Sequence, residues 1–125
     1  MTDPAVVLVA DDDEDILLLV SARLAREGYE IVQARDGAQA LALALQRQPA
    51  VAVLDVSMPA LDGFEVLERI RSDERLAGVR VVLLTARAQE QDVRLGYELG
   101  ADRYIPKPFS PAELAAAVAE LVAAG

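Results

Sequence analysis

Apolar runs alternate with amphipathic stretches along the whole chain. Val6 to Ala10 has no polar face, as expected of a strand buried on both sides. Asp13 to Glu27 then carries Leu17, Val20 and Leu24 at helical spacing, with Gly28 in the position of a C-terminal cap. Tyr29 to Ala34 predicts a second strand, and Asp36 with Gln39 three residues on predicts the start of a helix that ends before Pro49. Val51 to Val56 is the third strand. Asp62 to Arg71 is a helix with Phe64, Leu67 and Ile70 inward. Val79 to Thr85 is the fourth strand, Gln89 to Leu99 a helix stopped by Gly100, and Arg103 to Pro106 a short fifth strand. Ser110 to Glu113 reads as a capping box with Pro111 in the first helical turn, ahead of an apolar stripe of Leu114, Val118, Leu121 and Val122.

Strand and helix therefore alternate through five βα units, with no repeat and no low-complexity linker. Near-continuous apolar strands imply a parallel sheet covered by helices on both faces, an α/β doubly wound architecture. The 125 residues fit a single domain over 1–125. In such sheets ligands sit outside the carboxyl ends of the strands, so the polar residues there matter most.

Composition narrows the chemistry. The chain has no cysteine and no histidine, which excludes disulfides, thiol nucleophiles, His-based triads, zinc held by His or Cys and phosphohistidine. A net charge of −9 repels nucleic-acid phosphates, so no direct nucleic-acid contact is expected. The longest early apolar run, Ala5 to Ala10, is too short for a signal segment, and nothing reaches membrane-spanning length. A soluble, cytoplasmic domain is the expectation.

The first strand ends in Asp11-Asp12-Asp13, the third carries Asp55 near its end, the fourth ends in Thr85, and Lys107 follows the fifth. In a parallel sheet these acids, a hydroxyl and an ammonium converge on one rim. Clustered carboxylates repel one another, and a hard divalent cation relieves the repulsion. Mg2+ takes oxygen ligands and is typically held by one or two carboxylates and a phosphate oxygen, so the cluster reads as a magnesium-assisted phosphoryl-transfer site.

The segments VLVADD, LDVSMPALDGFEVL, LLTA and YIPKPF, in this order and spacing, resemble the signatures of receiver domains of two-component response regulators, from Ala5 to the final helix. The resemblance implies a flavodoxin-like (βα)5 fold with strand order 2-1-3-4-5 and a phosphorylation-dependent signalling switch. It implies Asp55 as phosphoacceptor, Asp12 as the acid closest to Mg2+ with Asp11 in support, and the Ser57 carbonyl as a further metal ligand. Thr85 would bond the phosphoryl oxygens, Lys107 would pair with the phosphoryl group or Asp55, and Tyr104 would occupy the aromatic switch position. A cis Lys107-Pro108 peptide is also implied. Ser57 and Arg87 occupy positions that vary across the family and would tune water access to the phosphoryl group. The partner would be a sensor histidine kinase or phosphotransfer protein, and catalysis would be confined to self-phosphorylation and autodephosphorylation. Ala115, Ala116 and Ala117 stand where dimerising relatives often carry an arginine, and Arg103 where they often carry an acid, so a monomer or weak dimer is expected.

Other readings compete for the same residues. Asp13, Glu14 and Asp15 suit a helix N-terminus, whose dipole they complement. An EF-hand loop fails because Ile16 stands at its glycine position and Ala22 at its bidentate glutamate position. A haloacid-dehalogenase-like phosphatase would use Asp11 as nucleophile and Asp13 as acid/base, but leaves Asp55 unexplained and has no room for a capping insertion. A pseudo-receiver that binds without phosphorylation would not need the complete acidic set. A DNA-binding regulator would need a basic helix that this chain does not carry. Gly63 reads as a loop or helix-start glycine without chemistry.

Overall fold

All five apolar runs pair side by side as parallel strands, in the order β2-β1-β3-β4-β5. The structure is a computed structural model that describes residues 3–86 and 90–125. Its strands are β1 (Val6–Ala10), β2 (Glu30–Ala34), β3 (Val51–Asp55), β4 (Arg80–Thr85) and β5 (Arg103–Pro106). The helices are α1 (Glu14–Arg26), α2 (Gly37–Arg47), α3 (Gly63–Arg71), α4 (Glu90–Glu98) and α5 (Pro111–Ala124), with a 3-10 turn at Glu74–Leu76 that the apolar pattern does not announce. The doubly wound five-stranded sheet and its order are as expected. Gln89, taken from the sequence as the start of α4, and Arg87 lie outside the described residues.

Side-chain alternation along the strands divides the core into two layers. Val7, Val9, Val51, Val53, Val82, Leu84 and Ile105 point to α1 and α5, where Leu17, Val20, Leu24, Leu114, Val118 and Leu121 meet them. Leu8, Ala52, Leu54, Val81, Leu83 and Tyr104 point the other way, onto Ala40 and Ala44 of α2 and Phe64, Leu67 and Ile70 of α3. The inward positions read from helical spacing are thus buried, except Val122 of α5, which is half-buried.

Helix starts follow the capping residues. Asp13 accepts from the N–H groups of Asp15 and Ile16 at the start of α1. At α2, Asp36 accepts from Gln39 N–H, while the Gln39 amide oxygen reaches back to Arg35 N–H at 2.8 Å. A reciprocal capping box forms at α3 between Asp62 and Glu65. At α5 the Ser110 hydroxyl accepts from Glu113 N–H at 3.3 Å.

At the edge of the sheet away from the acidic residues, Arg71 at the end of α3 ties distant segments together. Its guanidinium donates to Gly100 O at 3.0 Å, Val79 O at 2.6 Å and Asp102 Oδ2 at 3.0 Å. Asp102 also accepts from Val81 N–H at 2.8 Å. Gly100 has φ +107°, and a Cβ there would lie 2.9 Å from the Arg71 side chain, so glycine serves both the backbone and the close approach.

Candidate functional site

The register of the sheet brings the chemical residues to one rim. Asp55 is the last residue of β3 and continues the face of Val51 and Val53, opposite Leu84. Asp11 follows β1 directly, with its N–H on Ala34 O at 3.1 Å, and Lys107 follows β5, with its N–H on Thr85 O at 2.7 Å. The Lys107 Nζ lies 3.1 Å from Asp11 Oδ2 and 3.2 Å from Asp55 Oδ1, so one ammonium bridges two carboxylates. Asp11 and Asp55 are buried, at 1% and 4% exposure, while Asp12 is exposed. Pairing with Asp55 matches the expectation for Lys107; the equally short contact with Asp11, 96 residues away in sequence, was not foreseen. The Lys107-Pro108 peptide is cis, as the resemblance implies.

The electrostatics follow from this packing. Burial, and then the Asp11 charge, push the Asp55 pKa up from 3.8 to about 6, and Lys107 offsets part of the rise. Burial opposes the charge on Lys107, but the Asp11 hydrogen bond and the Asp55 and Asp11 charges outweigh it and hold its pKa above the usual lysine range. Near neutral pH the site therefore holds an ionised Asp55 and a charged ammonium.

One carboxylate oxygen each from Asp11, Asp12 and Asp55 can be chosen such that all lie within 4.8 Å of one another. Three hard anionic oxygens this close, with a single ammonium between two of them, fit a small divalent cation of the magnesium type. Ser57 lies exposed in the loop after β3. That loop is held by two glycines. A Cβ on Gly63 would lie 2.6 Å from Asp55 O, and one on Gly37 would lie 1.8 Å from Leu61 O. Gly63 N–H also donates to Val56 O at 2.8 Å. Gly63 is thus more than a loop glycine: only its bare backbone fits against the end of β3. Sequence reading passed over this role because a helix-start glycine has many causes.

Thr85 is buried at the end of β4, at 1% exposure. Tyr104 is buried at 8%, and a Cβ on Gly96 of α4 would lie 2.8 Å from its Cδ2. The two share the α2–α3 face of the sheet, by register with Leu83 and by alternation. Asp13, the acid/base of the phosphatase reading, caps α1 with its carboxylate instead. Asp11, its nucleophile, is occupied by Lys107 and by Asp13 N–H at 2.9 Å. Arg103, expected to unbalance a charged dimer face, donates to Glu120 of α5 at 2.8 Å within the same chain.

Comparison with known proteins agrees with this geometry. Residues 7–119 match the family model described as response regulator receiver domain. The chain is 46% identical over 116 residues to the DNA-binding dual master transcriptional regulator RpaA of Synechocystis, covering 93% of this chain and 48% of that protein. It is 45% identical over 112 residues to the alkaline phosphatase synthesis transcriptional regulatory protein PhoP of Bacillus subtilis, covering 90% and 46%. The chain therefore spans about half the length of these curated relatives. Among solved structures, the Francisella response regulator 1452 receiver domain superposes with a TM-score of 0.90 at 33% identity, covering 96% of this chain and 98% of that one. A CheY-like receiver domain protein of Methanospirillum hungatei JF-1 gives 0.90 at 28%, covering 97% and 95%. Neither the phosphatase nor the pseudo-receiver reading is favoured by these likenesses, and no helix among the described residues is long and apolar enough to cross a membrane. An acidic rim bridged by a lysine, on a sheet of order 2-1-3-4-5 and with this sequence likeness over nearly its whole length, makes the chain a member of the receiver-domain family of two-component response regulators, proteins of phosphorylation-dependent signalling.

Proposed function

We propose that residues 1–125 act as one receiver domain in which Asp55 takes the phosphoryl group. The observation that carries this reading is the Lys107 ammonium shared by Asp55 and Asp11 at the carboxyl ends of the strands. Asp55 supplies the nucleophilic oxygen. Its raised pKa of about 6 leaves it largely ionised near neutral pH and more basic than an ordinary aspartate. Lys107 is a point charge placed to meet the phosphoryl oxygens, and the Thr85 hydroxyl supplies a further bond to them. Asp11, Asp12, Asp55 and the Ser57 carbonyl would hold Mg2+, which when bound neutralises charge on the transferring phosphoryl group. The donor partner is a sensor histidine kinase or phosphotransfer protein. The chain's own chemistry is limited to taking up the phosphoryl group and losing it to water.

Phosphorylation adds charge and acceptor oxygens at the rim, which draw Thr85 toward them. Tyr104 responds on the same face of the sheet, and the surface of α4, β5 and α5 carries the output. The modification shifts that equilibrium by as much as it interacts differently with the two states. RpaA of Synechocystis is a DNA-binding transcriptional regulator, and PhoP of Bacillus subtilis is a transcriptional regulatory protein. The −9 charge of the present residues disfavours phosphate-backbone binding, so the output assigned to them is contact with protein.

The test is intact-mass analysis after incubation with magnesium and acetyl phosphate. Wild type gains one base-labile phosphoryl group, and Asp55→Asn does not. Equal labelling of Asp55→Asn would overturn the assignment, and loss confined to Asp11→Asn would revive the phosphatase reading.

A further inference from the structure

One edge of the sheet is open. β2 pairs only with β1, and among the described residues no strand lies beyond it. Glu30 N–H donates to Ala5 O at 3.0 Å, and Ala34 O accepts from Asp11 N–H at 3.1 Å. The main chain of Glu30, Val32 and Ala34 therefore faces β1, and by alternation the N–H and C=O groups of Ile31 and Gln33 face away from the sheet. Exposed edges are commonly blunted by lysine, proline or a bulge. The opposite edge, β5, ends on Pro106, whereas β2 has an unbroken register and carries neither lysine nor proline. A groove of about 670 Å³ opens over β2, with Leu18, Ala22 and Ala25 of α1 on one side and Arg47 of α2 on the other. Leu18 stands 52% exposed, and the two alanines leave room for a close approach.

The charges around the groove select its occupant. At the carboxyl end of β2, Arg35 pairs with Glu14 at the start of α1; at the amino end, Arg47 at the end of α2 pairs with Glu30. Arg23 near the end of α1 pairs with Glu27. The charge left over is acidic at the first end, from Asp15 and Asp36, and basic at the second, from Arg26. An extended segment of one sign would be repelled at one end. A second copy, turned by a two-fold axis across β2, sets each acidic end against a basic one.

We propose that a second copy of this chain docks on the open edge, β2 antiparallel to β2, and joins the two five-stranded sheets into one. The outward main-chain groups of Ile31 and Gln33 supply the hydrogen bonds, and Leu18 is withdrawn from water. The net charge of −9 on each copy opposes their approach and keeps the dimer weak. The surface of α4, β5 and α5 lies at the opposite edge of the sheet, so the dimer forms whether or not Asp55 carries a phosphoryl group.

The experiment is sedimentation equilibrium of the whole chain from roughly 10 µM to 1 mM. Wild type should show a monomer–dimer equilibrium whose Kd moves by less than about twofold with magnesium and beryllofluoride, since the contact does not differ between the two states. Gln33→Pro removes a donor that faces away from β1 and should raise the Kd at least about tenfold, while Gln33→Ala keeps the donor and should stay within about threefold. Arg26→Glu should weaken the dimer about fivefold, and adding Asp15→Arg to it should recover most of the loss, because the two positions meet across the axis. Circular dichroism and the urea midpoint check that each variant is folded; if Gln33→Pro is not, the charge exchange decides. Amide exchange at Ile31 and Gln33 should slow as concentration rises. A wild type that stays monomeric over the whole range overturns the inference and returns the edge to a different protein. A dimer indifferent to both Gln33→Pro and Arg26→Glu also overturns it and places the contact on another face.

Discussion

Asp55 ionises against its surroundings, and that opposition is measurable as stability. Its folded-state pKa is raised from 3.8 to about 6, with burial as the largest cause and the Asp11 charge next. Between those values the folded state keeps a proton that the unfolded chain has released. The folded state then binds more protons than the unfolded one, so stability falls as pH rises through this window. The penalty is absent below about pH 4 and complete above about pH 7. A rise from 3.8 to about 6 corresponds to about 3 kcal/mol at ~1.4 kcal/mol per pH unit. Water reaches the site past Lys107, whose side chain is 19% exposed, and screening reduces the expected effect to about 1–2 kcal/mol. Asp55→Asn removes the ionisation and leaves Lys107 paired with Asp11. In urea unfolding with a chelator present, the Asp55→Asn midpoint should therefore exceed that of wild type by about 1 M near pH 7.5, taking a slope of ~1.5 kcal/mol/M. The two midpoints should converge as pH falls through about 6 toward 4. A difference that is independent of pH, or a less stable Asp55→Asn protein near neutral pH, would refute the account.

Three further outcomes follow from the packing. Gly37→Ala drives a methyl to 1.8 Å from Leu61 O and should cost about 3 kcal/mol in urea unfolding, whereas Gly78→Ala meets nothing within 4 Å and should be neutral or stabilising by about 0.5 kcal/mol; equal effects would discredit the close approach. Arg71→Ala frees Gly100 O, Val79 O and Asp102 and should cost about 2–4 kcal/mol, with amide exchange quickened around residues 99–102; unchanged exchange there would show that the clamp holds nothing. Arg103→Glu loses an exposed pair with Glu120 and should cost less than about 1 kcal/mol, while ultracentrifugation with and without beryllofluoride shows no tight dimer; a beryllofluoride-dependent dimer abolished by this substitution would contradict it.

The strands were legible because each apolar run is continuous, and the helices because their apolar residues recur at helical spacing. Boundaries slipped by one residue where an apolar neighbour sits outside the ladder, as with Val56, buried yet beyond β3. The 3-10 turn at Glu74–Leu76 is too short to show a period, although Asp73, which accepts from Arg75 N–H, is the cap that announces it. Asp55 stood out in sequence because an acid in an apolar strand needs a reason. Its partnership was only half legible: Asp11 and Lys107 meet across 96 residues, and no local pattern encodes such a contact. The Arg71 clamp was invisible for the same cause, since its acceptors Gly100 and Asp102 lie 29 and 31 residues away.

That clamp governs how α4 can move. Arg71 grips Gly100 and Asp102, just past the C-terminal end of the helix, while Glu90 is the first described residue at its other end. Held at one end, α4 is a lever with its fulcrum far from the rim. Its nine residues span about 13 Å, so a tilt of about 10° about the clamped end carries Glu90 through about 2 Å. Gly96, which rests on Tyr104, sits close to the fulcrum and travels only a fraction of that distance. Displacement in such a tilt is therefore largest at Glu90, Gln91 and Asp92, and the contact of Gly96 with the ring of Tyr104 is among the least disturbed.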